Sequence, residues 1–175
     1  MFTKIFRQVA ALLFIGAFGA WLFARKYAVS AFTVADICGA VAPIGIFFGR
    51  LANFIKPEMW GRPTDVPWAV VFPGVEGARH PSQLYEAGLE GLVLLVVTAL
   101  VARAGGFRRP GMIAGVFGVG YGIGRIVSEF FREPDPQLEA LGPWAHGVTM
   151  GMVLSAPMIV IGLWLIVRSR REGQP

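Results

Sequence analysis

The chain has 175 residues, 55% of them hydrophobic and only 15% charged, with a mean hydropathy of +0.60. That composition is too apolar for a soluble domain of this size and describes a membrane protein. The net charge of +5 collects in short clusters at the ends of apolar runs, Arg25-Lys26, Arg108-Arg109 and Arg168 to Arg171, where membrane topology explains it better than nucleic-acid binding does.

Five membrane spans are expected. The first runs from Val9 to Ala24, extendable back to Ile5. The next three have clean apolar cores at Ile37 to Gly49, Gly91 to Ala102 and Gly111 to Gly124. These fall short of the roughly 20 residues that cross a bilayer. They reach that length only by taking in Asp36, Arg50, Glu86, Glu90 or Arg125, charges that weaken insertion and that a purely structural protein has little reason to keep. The fifth, Gly142 to Val167, runs 26 residues without a formal charge. Cys38, the single cysteine, excludes an intramolecular disulfide and reads as a small packing residue rather than a nucleophile.

The fold class expected is therefore all-α: one polytopic membrane domain over residues 1–175, a bundle of about five helices with a turn-rich segment on the outer side. Arginine bias puts the tail after Val167 and the loop around Arg103, Arg108 and Arg109 on the cytoplasmic side. Alternation then puts Lys56 to Gln83 and Glu133 to Leu141 outside. It also puts Lys4 and Arg7 outside, against the rule, so either the first span is atypical or helices that once preceded it are lost. In Lys56 to Gln83, Trp60, Trp68, Val70, Val71 and Phe72 alternate with prolines and glycines, which suits an interfacial segment with short extended pieces such as Ala69 to Phe72.

Three stretches carry chemistry. Arg50 and Asn53, three residues apart in the run Gly49 to Gly61, share a helical face; their donors suit a phosphodiester or an ester carbonyl, though an arginine near a span end also snorkels to headgroups. In R-H-P-S-Q-L-Y-E, Arg79 to Glu86, Ser82 can cap a helix on which Gln83, Glu86 and Glu90 share a face. Two carboxylates entering a membrane helix need partners, for which Arg50, Arg125 and Arg132 are the candidates. His80 is either a proton acceptor or a loop residue ordering the turn before Pro81.

The third stretch is Y-G-I-G-R-I-V-S-E-F-F-R, Tyr121 to Arg132. At 100° per residue Tyr121, Arg125, Glu129 and Arg132 fall at about 0°, 40°, 80° and 20°, one stripe of a helix. A salt bridge between helices would explain the stripe, but desolvation makes such a bridge a poor stabiliser, and ionisable groups at membrane depth are functional by default. His146 and the Met150, Met152 and Met158 group read as interfacial and packing residues. No spacing suits a metal ion, and no serine elbow or phosphate-cradling loop is present.

Taken in order and spacing, Gly49 to Asp65, Arg79 to Gly91 and Tyr121 to Asp135 resemble the bacterial prolipoprotein diacylglyceryl transferase family, over roughly Arg25 to Val167. The resemblance implies a cofactor-free, multi-pass enzyme of the inner membrane with its site toward the outer leaflet. Such an enzyme moves the diacylglyceryl group of phosphatidylglycerol onto the lipobox cysteine of a prolipoprotein. It implies that Arg50 and Asn53 hold the phospholipid head, that Tyr121 and Arg125 line the reaction centre with His80 among the catalytic groups, and that Glu129 and Arg132 orient them. Glu58, Gly61, Gln83 and Glu86 match further family positions. The family's His-Gly-Gly segment projects onto Ala10, Ala11 and Leu12, so it is missing here, and Lys56-Pro57 stands where Asn-Gly is usual. A relative that binds phospholipid or lipoprotein precursor without transferring anything is the second reading. A small transporter component is the third.

Overall fold

In the computed structural model, which describes residues 11, 15–16, 18–133 and 149–172, the apolar runs form four long helices. Helix α1 is Ala31–Ile55. Ser30 starts it by accepting a hydrogen bond from Phe32 N at 3.3 Å, and Pro57 ensures that it stops. Helix α2, Ser82–Arg103, is α-helical at both ends and opens into a π-helical turn over Ala87–Val93. Helix α3 is Met112–Glu129 and α4 is Met150–Glu172. Residues 18–26 are also helical.

Burial in this bundle is inverted relative to a soluble protein. Ile37, Val41, Ile44, Phe48 and Ile55 of α1, and Val160, Ile161, Leu163 and Trp164 of α4, are exposed, whereas Asp36, Gln83, Glu86, Glu90, Thr98, Ser128, Ser155 and Ser169 are buried. An apolar exterior around a polar interior suits hydrocarbon, not water. Three helices, α1, α2 and α4, are long and apolar enough to cross a membrane; α3, with Arg125 and Glu129 inside its 18 residues, is not among them. The spans expected at Ile37 to Gly49 and Gly91 to Ala102 are thus longer than their clean cores, because buried charges continue the helices. Part of the first span, including Ala10 and Leu12, lies outside the described residues, as do His146, the start of the fifth span and residues 134–141.

Helices α3 and α4 pack along a seam in which Gly115, Gly118 and Gly122 face Gly162, Met158 and Ser155. The register of α1 against α3 is set by Asp36. Its carboxylate, fully buried, accepts from Gly111 N at 2.7 Å and Ala114 N at 2.8 Å. It thereby satisfies the N–H groups that the start of α3 leaves open. Asp36 therefore does have structural work, contrary to the expectation that charges within the spans serve function. Cys38 also departs from its reading as a packing residue, since it is exposed on the outer side of α1.

Between α1 and α2 the outer segment holds the only strands among the described residues, β1 (Val70–Val71) and β2 (Ala78–Arg79), paired antiparallel with Val70 opposite Arg79. This is a narrower form of the extended piece expected at Ala69 to Phe72. Buried Phe72 packs edge-on against Phe54 near the end of α1, 5.9 Å between centroids. Gly61 pairs with Arg132 and bonds to His80 O through its N–H at 3.0 Å, and Arg62 N donates to Phe131 O at 3.0 Å. The segment is consequently sewn to the end of α3.

Candidate active site

Arg50 near the end of α1, Glu86 and Glu90 in the first half of α2, Arg125 and Glu129 at the end of α3 and Arg132 just beyond it meet in one cluster. Glu86 is the hub. Its Oε2 lies 3.0 Å from Arg50 Nε, and its Oε1 lies 2.8 Å from Arg125 Nη1 and 3.4 Å from Arg132 Nη1. Arg50 Nη2 also reaches Glu90 Oε2 at 3.4 Å, and Glu129 pairs with both Arg125 and Arg132. Glu86 precedes the π-helical turn and Glu90 lies within it, and together they flank one guanidinium. π-Helical turns of this kind recur at functional sites.

The cluster has a front and a back. The carboxylates are 0–5% exposed, while the arginine side chains remain 13–17% exposed. The three forks are thus the less buried part of the cluster, and the carboxylates they grip fix their orientation. Three arginines against three glutamates make the dry interior tolerable, which a lone guanidinium at membrane depth would not be.

Tyr121 lies one helical turn inward of Arg125. Its ring stacks on Phe117 at 5.8 Å, and it sits within electrostatic reach of Glu90, Arg50, Arg125 and Glu86. The stripe expected on α3 is therefore assembled, with Arg132 placed by the strand-like bridge to Gly61 rather than by the helix itself.

Asn53 joins the cluster through Met59, which no pattern of spacing marks. Met59 has a positive φ of 56°, and its sulfur lies 3.9 Å from Arg50 Nη1 and 3.8 Å from Asn53 Nδ2. The loop carrying Met59 is tied to the start of α2: Ser82 Oγ donates to Met59 O at 3.0 Å, and Gln83 Nε2 donates to Glu58 O at 2.6 Å. Ser82 accordingly does not cap α2 as expected; Pro81 holds the cap position and the hydroxyl fastens the loop instead. The Glu58 side chain turns outward to Lys56, 2.7 Å away, and pushes that ammonium above the usual lysine range.

Gly61 and Gly151 are required by space. A Cβ on Gly61 would stand 2.5 Å from Phe131 O and 2.6 Å from His80 O. One on Gly151, in the first turn of α4, would collide with the Glu129 carboxylate and lie 3.0 Å from Arg125 Nη2. The start of α4, capped by Thr149 Oγ1 on Met152 N at 3.2 Å, therefore abuts the back of the cluster, and its N–H end favours Glu129.

His80 stands apart from these charges. Its Nδ1 is 3.2 Å from Tyr85 Oη, which in turn accepts from Trp68 Nε1 at 2.7 Å, and its ring meets Phe131 edge-on at 5.3 Å. These residues, with Leu84, Leu89 and Val93, line an apolar cleft of about 630 Å³ on the flank of α2.

Apolar spans enclosing a buried cluster of arginines and glutamates define a helical membrane protein. Residues 11–168 match the family model of prolipoprotein diacylglyceryl transferase. The chain belongs to that family. Similar curated proteins include the phosphatidylglycerol-prolipoprotein diacylglyceryl transferase of Methylocella silvestris, 54% identical over 159 residues, covering 90% of this chain and 57% of the relative. Those of Rhizobium leguminosarum bv. trifolii and Agrobacterium fabrum are 58% and 56% identical over 154 residues, covering 87% and 85% of this chain and 54% and 53% of the relatives. The chain thus spans about half the length of the curated relatives it matches.

Proposed function

We propose that this chain carries the phospholipid-binding and reacting part of a phosphatidylglycerol-prolipoprotein diacylglyceryl transferase. The observation behind this is the arrangement of Arg50, Arg125 and Arg132, three partly exposed guanidinium groups around the buried Glu86 carboxylate. In this reading the phosphodiester of phosphatidylglycerol lies against the three forks, with Asn53 and Tyr121 beside it. The sulfur of the lipobox cysteine forms a bond to the glycerol carbon of the diacylglyceryl group. The bond from that carbon to the phosphate oxygen breaks, and its electron pair leaves on glycerol phosphate. The arginines stabilise that charge without a metal, and exclusion of water strengthens the effect.

The thiol proton needs an acceptor. His80 takes that role if the prolipoprotein thiol enters through the cleft it borders, which opens along α2 where a lipid-anchored product could leave sideways. Gln83, Glu58 and Gly61 act through the loop that carries Met59, holding Arg50 and Asn53 in register, and Glu86 and Glu129 orient the forks. The membrane is the bacterial inner membrane, and the arginine bias of the opposite end turns the site to the outer leaflet.

The test is incubation of the purified chain with phosphatidylglycerol and a lipobox peptide, followed by weighing of the peptide. A gain equal to one diacylglyceryl group supports transfer. A second reading, lipid binding without transfer, draws on Ala10, Ala11 and Leu12 standing where the family carries His-Gly-Gly. Retained phosphatidylglycerol binding with no mass gain, under conditions where a full-length relative works, would establish it.

A further inference from the structure

Beside the arginine cluster, Trp68, Tyr85 and His80 form a hydrogen-bonded chain of their own. Trp68 Nε1 donates to Tyr85 Oη at 2.7 Å, and Tyr85 Oη lies 3.2 Å from His80 Nδ1. An indole N–H can only donate, so it occupies a lone pair of Tyr85 and leaves the hydroxyl proton to be given elsewhere. Among the described residues the acceptor in reach is His80 Nδ1. The neutral imidazole then accepts at Nδ1 and carries its own proton on Nε2. Its frame is fixed on several sides. The His80 backbone N–H donates to Arg62 O at 3.0 Å, its carbonyl accepts from Gly61 N at 3.0 Å and Ser82 N at 2.8 Å, and the ring meets Tyr85 and Phe131 edge-on at 5.9 and 5.3 Å.

We propose that Tyr85 is a catalytic residue, the relay through which His80 takes the thiol proton: the lipobox S–H gives its proton to Tyr85 Oη as the Tyr85 proton moves to His80 Nδ1. This rests on the transferase reading and on His80 as its proton acceptor. The S–H bond and the original Oη–H bond break, and a new Oη–H bond and an Nδ1–H bond form. Sulfur keeps the electron pair with which it attacks the glycerol carbon. The imidazolium holds the proton while the negative charge leaves on glycerol phosphate. Direct transfer to Nε2 is blocked by the proton already there. Placement favours the relay, because Trp68 and Tyr85 line the same cleft as His80. Tyr85 also directly precedes Glu86 on α2, so the cleft and the hub that holds the arginines belong to one helical turn. Trp68 is a positioning residue, since its N–H turns the Tyr85 proton toward the imidazole.

The first test reads the proton directly. Nitrogen-15 NMR of the full chain in detergent, labelled at histidine and assigned by the loss of signal in His80→Gln, should show neutral His80 protonated at Nε2 and bare at Nδ1. A proton on Nδ1 of neutral His80 would overturn the relay whatever the activity of the chain. The second test is the rate of transfer from phosphatidylglycerol to a lipobox peptide. Tyr85→Phe keeps the ring against Phe131, 5.2 Å between centroids, and should lower kcat about 10²-fold at pH 7, the lower end of what a proton-transfer group contributes. KM for phosphatidylglycerol should stay within about two-fold. A free thiol ionises near pH 8.5 and then needs no acceptor, so the deficit should shrink at least about five-fold by about pH 9.5. A deficit equal at both pH values would mark a structural loss and overturn the proposal. A variant as fast as the wild type would remove the relay and leave the transferase reading standing, whereas a wild-type chain that transfers nothing would remove both.

Discussion

At one end of the bundle Arg50, Arg125 and Arg132 are gripped by Glu86, Glu90 and Glu129; at the other, Arg168 rests on aromatic rings while Arg103, Arg108, Arg109, Arg170 and Arg171 face outward. The same side chain thus serves two purposes. Aromatic contact holds Arg168 in place, while the other five guanidinium groups stand exposed. Carboxylate support fixes the direction of each fork, which is what recognition of one phosphodiester at one reacting carbon requires. Fixing it has an energetic cost, because desolvation of buried ions offsets most of their attraction, so the network is there for geometry more than for stability.

Removing the hub separates the two ends most sharply. Glu86→Ala leaves three guanidinium groups around an empty centre and should destabilise the chain by about 3–5 kcal/mol, the cost of orphaning a buried ion pair, as read by thermal unfolding in detergent. Gly61→Ala comes next. The added methyl cannot fit between Phe131 O and His80 O, and overpacking of this kind costs about 1–3 kcal/mol; faster proteolytic cleavage between Gly61 and Arg79 would register it. Asp36→Ala strips the cap from α3 and should cost about 1–2 kcal/mol, with amide exchange rising at Gly111 and Ala114. Smallest is Arg103→Gln, which removes an exposed charge at the basic end and should leave the unfolding temperature unchanged. A large loss there would mean that the basic end is a structural network as well.

Much of the site was legible because its parts are intrahelical or electrostatically compelled. The alignment of Tyr121, Arg125 and Glu129 follows from helical spacing, Arg132 owes its place to the bridge with Gly61, and the demand of Glu86 and Glu90 for cationic partners points to Arg50, Arg125 and Arg132. What escaped notice depends on the tertiary approach of silent residues. Gly151 matters only because α4 begins against Glu129, and Met59 only because its backbone turns its sulfur between Arg50 and Asn53. Asp36 was visible as an intramembrane charge, but its partners are backbone N–H groups 75 and 78 residues away, which no side-chain pattern announces. Ser82 fits a capping position by sequence, yet its hydroxyl is claimed by the Met59 carbonyl. The fold class was readable from hydropathy. The helix ends were not, because buried ion pairs carry α2 and α3 past the points where apolar residues give out.

The proposed grip of the forks at the Glu86 hub on an anionic headgroup is probed by Arg125→Lys. Lysine keeps the charge but lacks the planar pair of donors. The measurement is binding of phosphatidylglycerol and of diacylglycerol to the wild-type chain and to the variant. The wild type should prefer phosphatidylglycerol, and the variant should lose at least about ten-fold in that preference, the equivalent of one charge-assisted hydrogen bond, while diacylglycerol binding stays the same. An Arg125→Lys chain that keeps the full preference would contradict it.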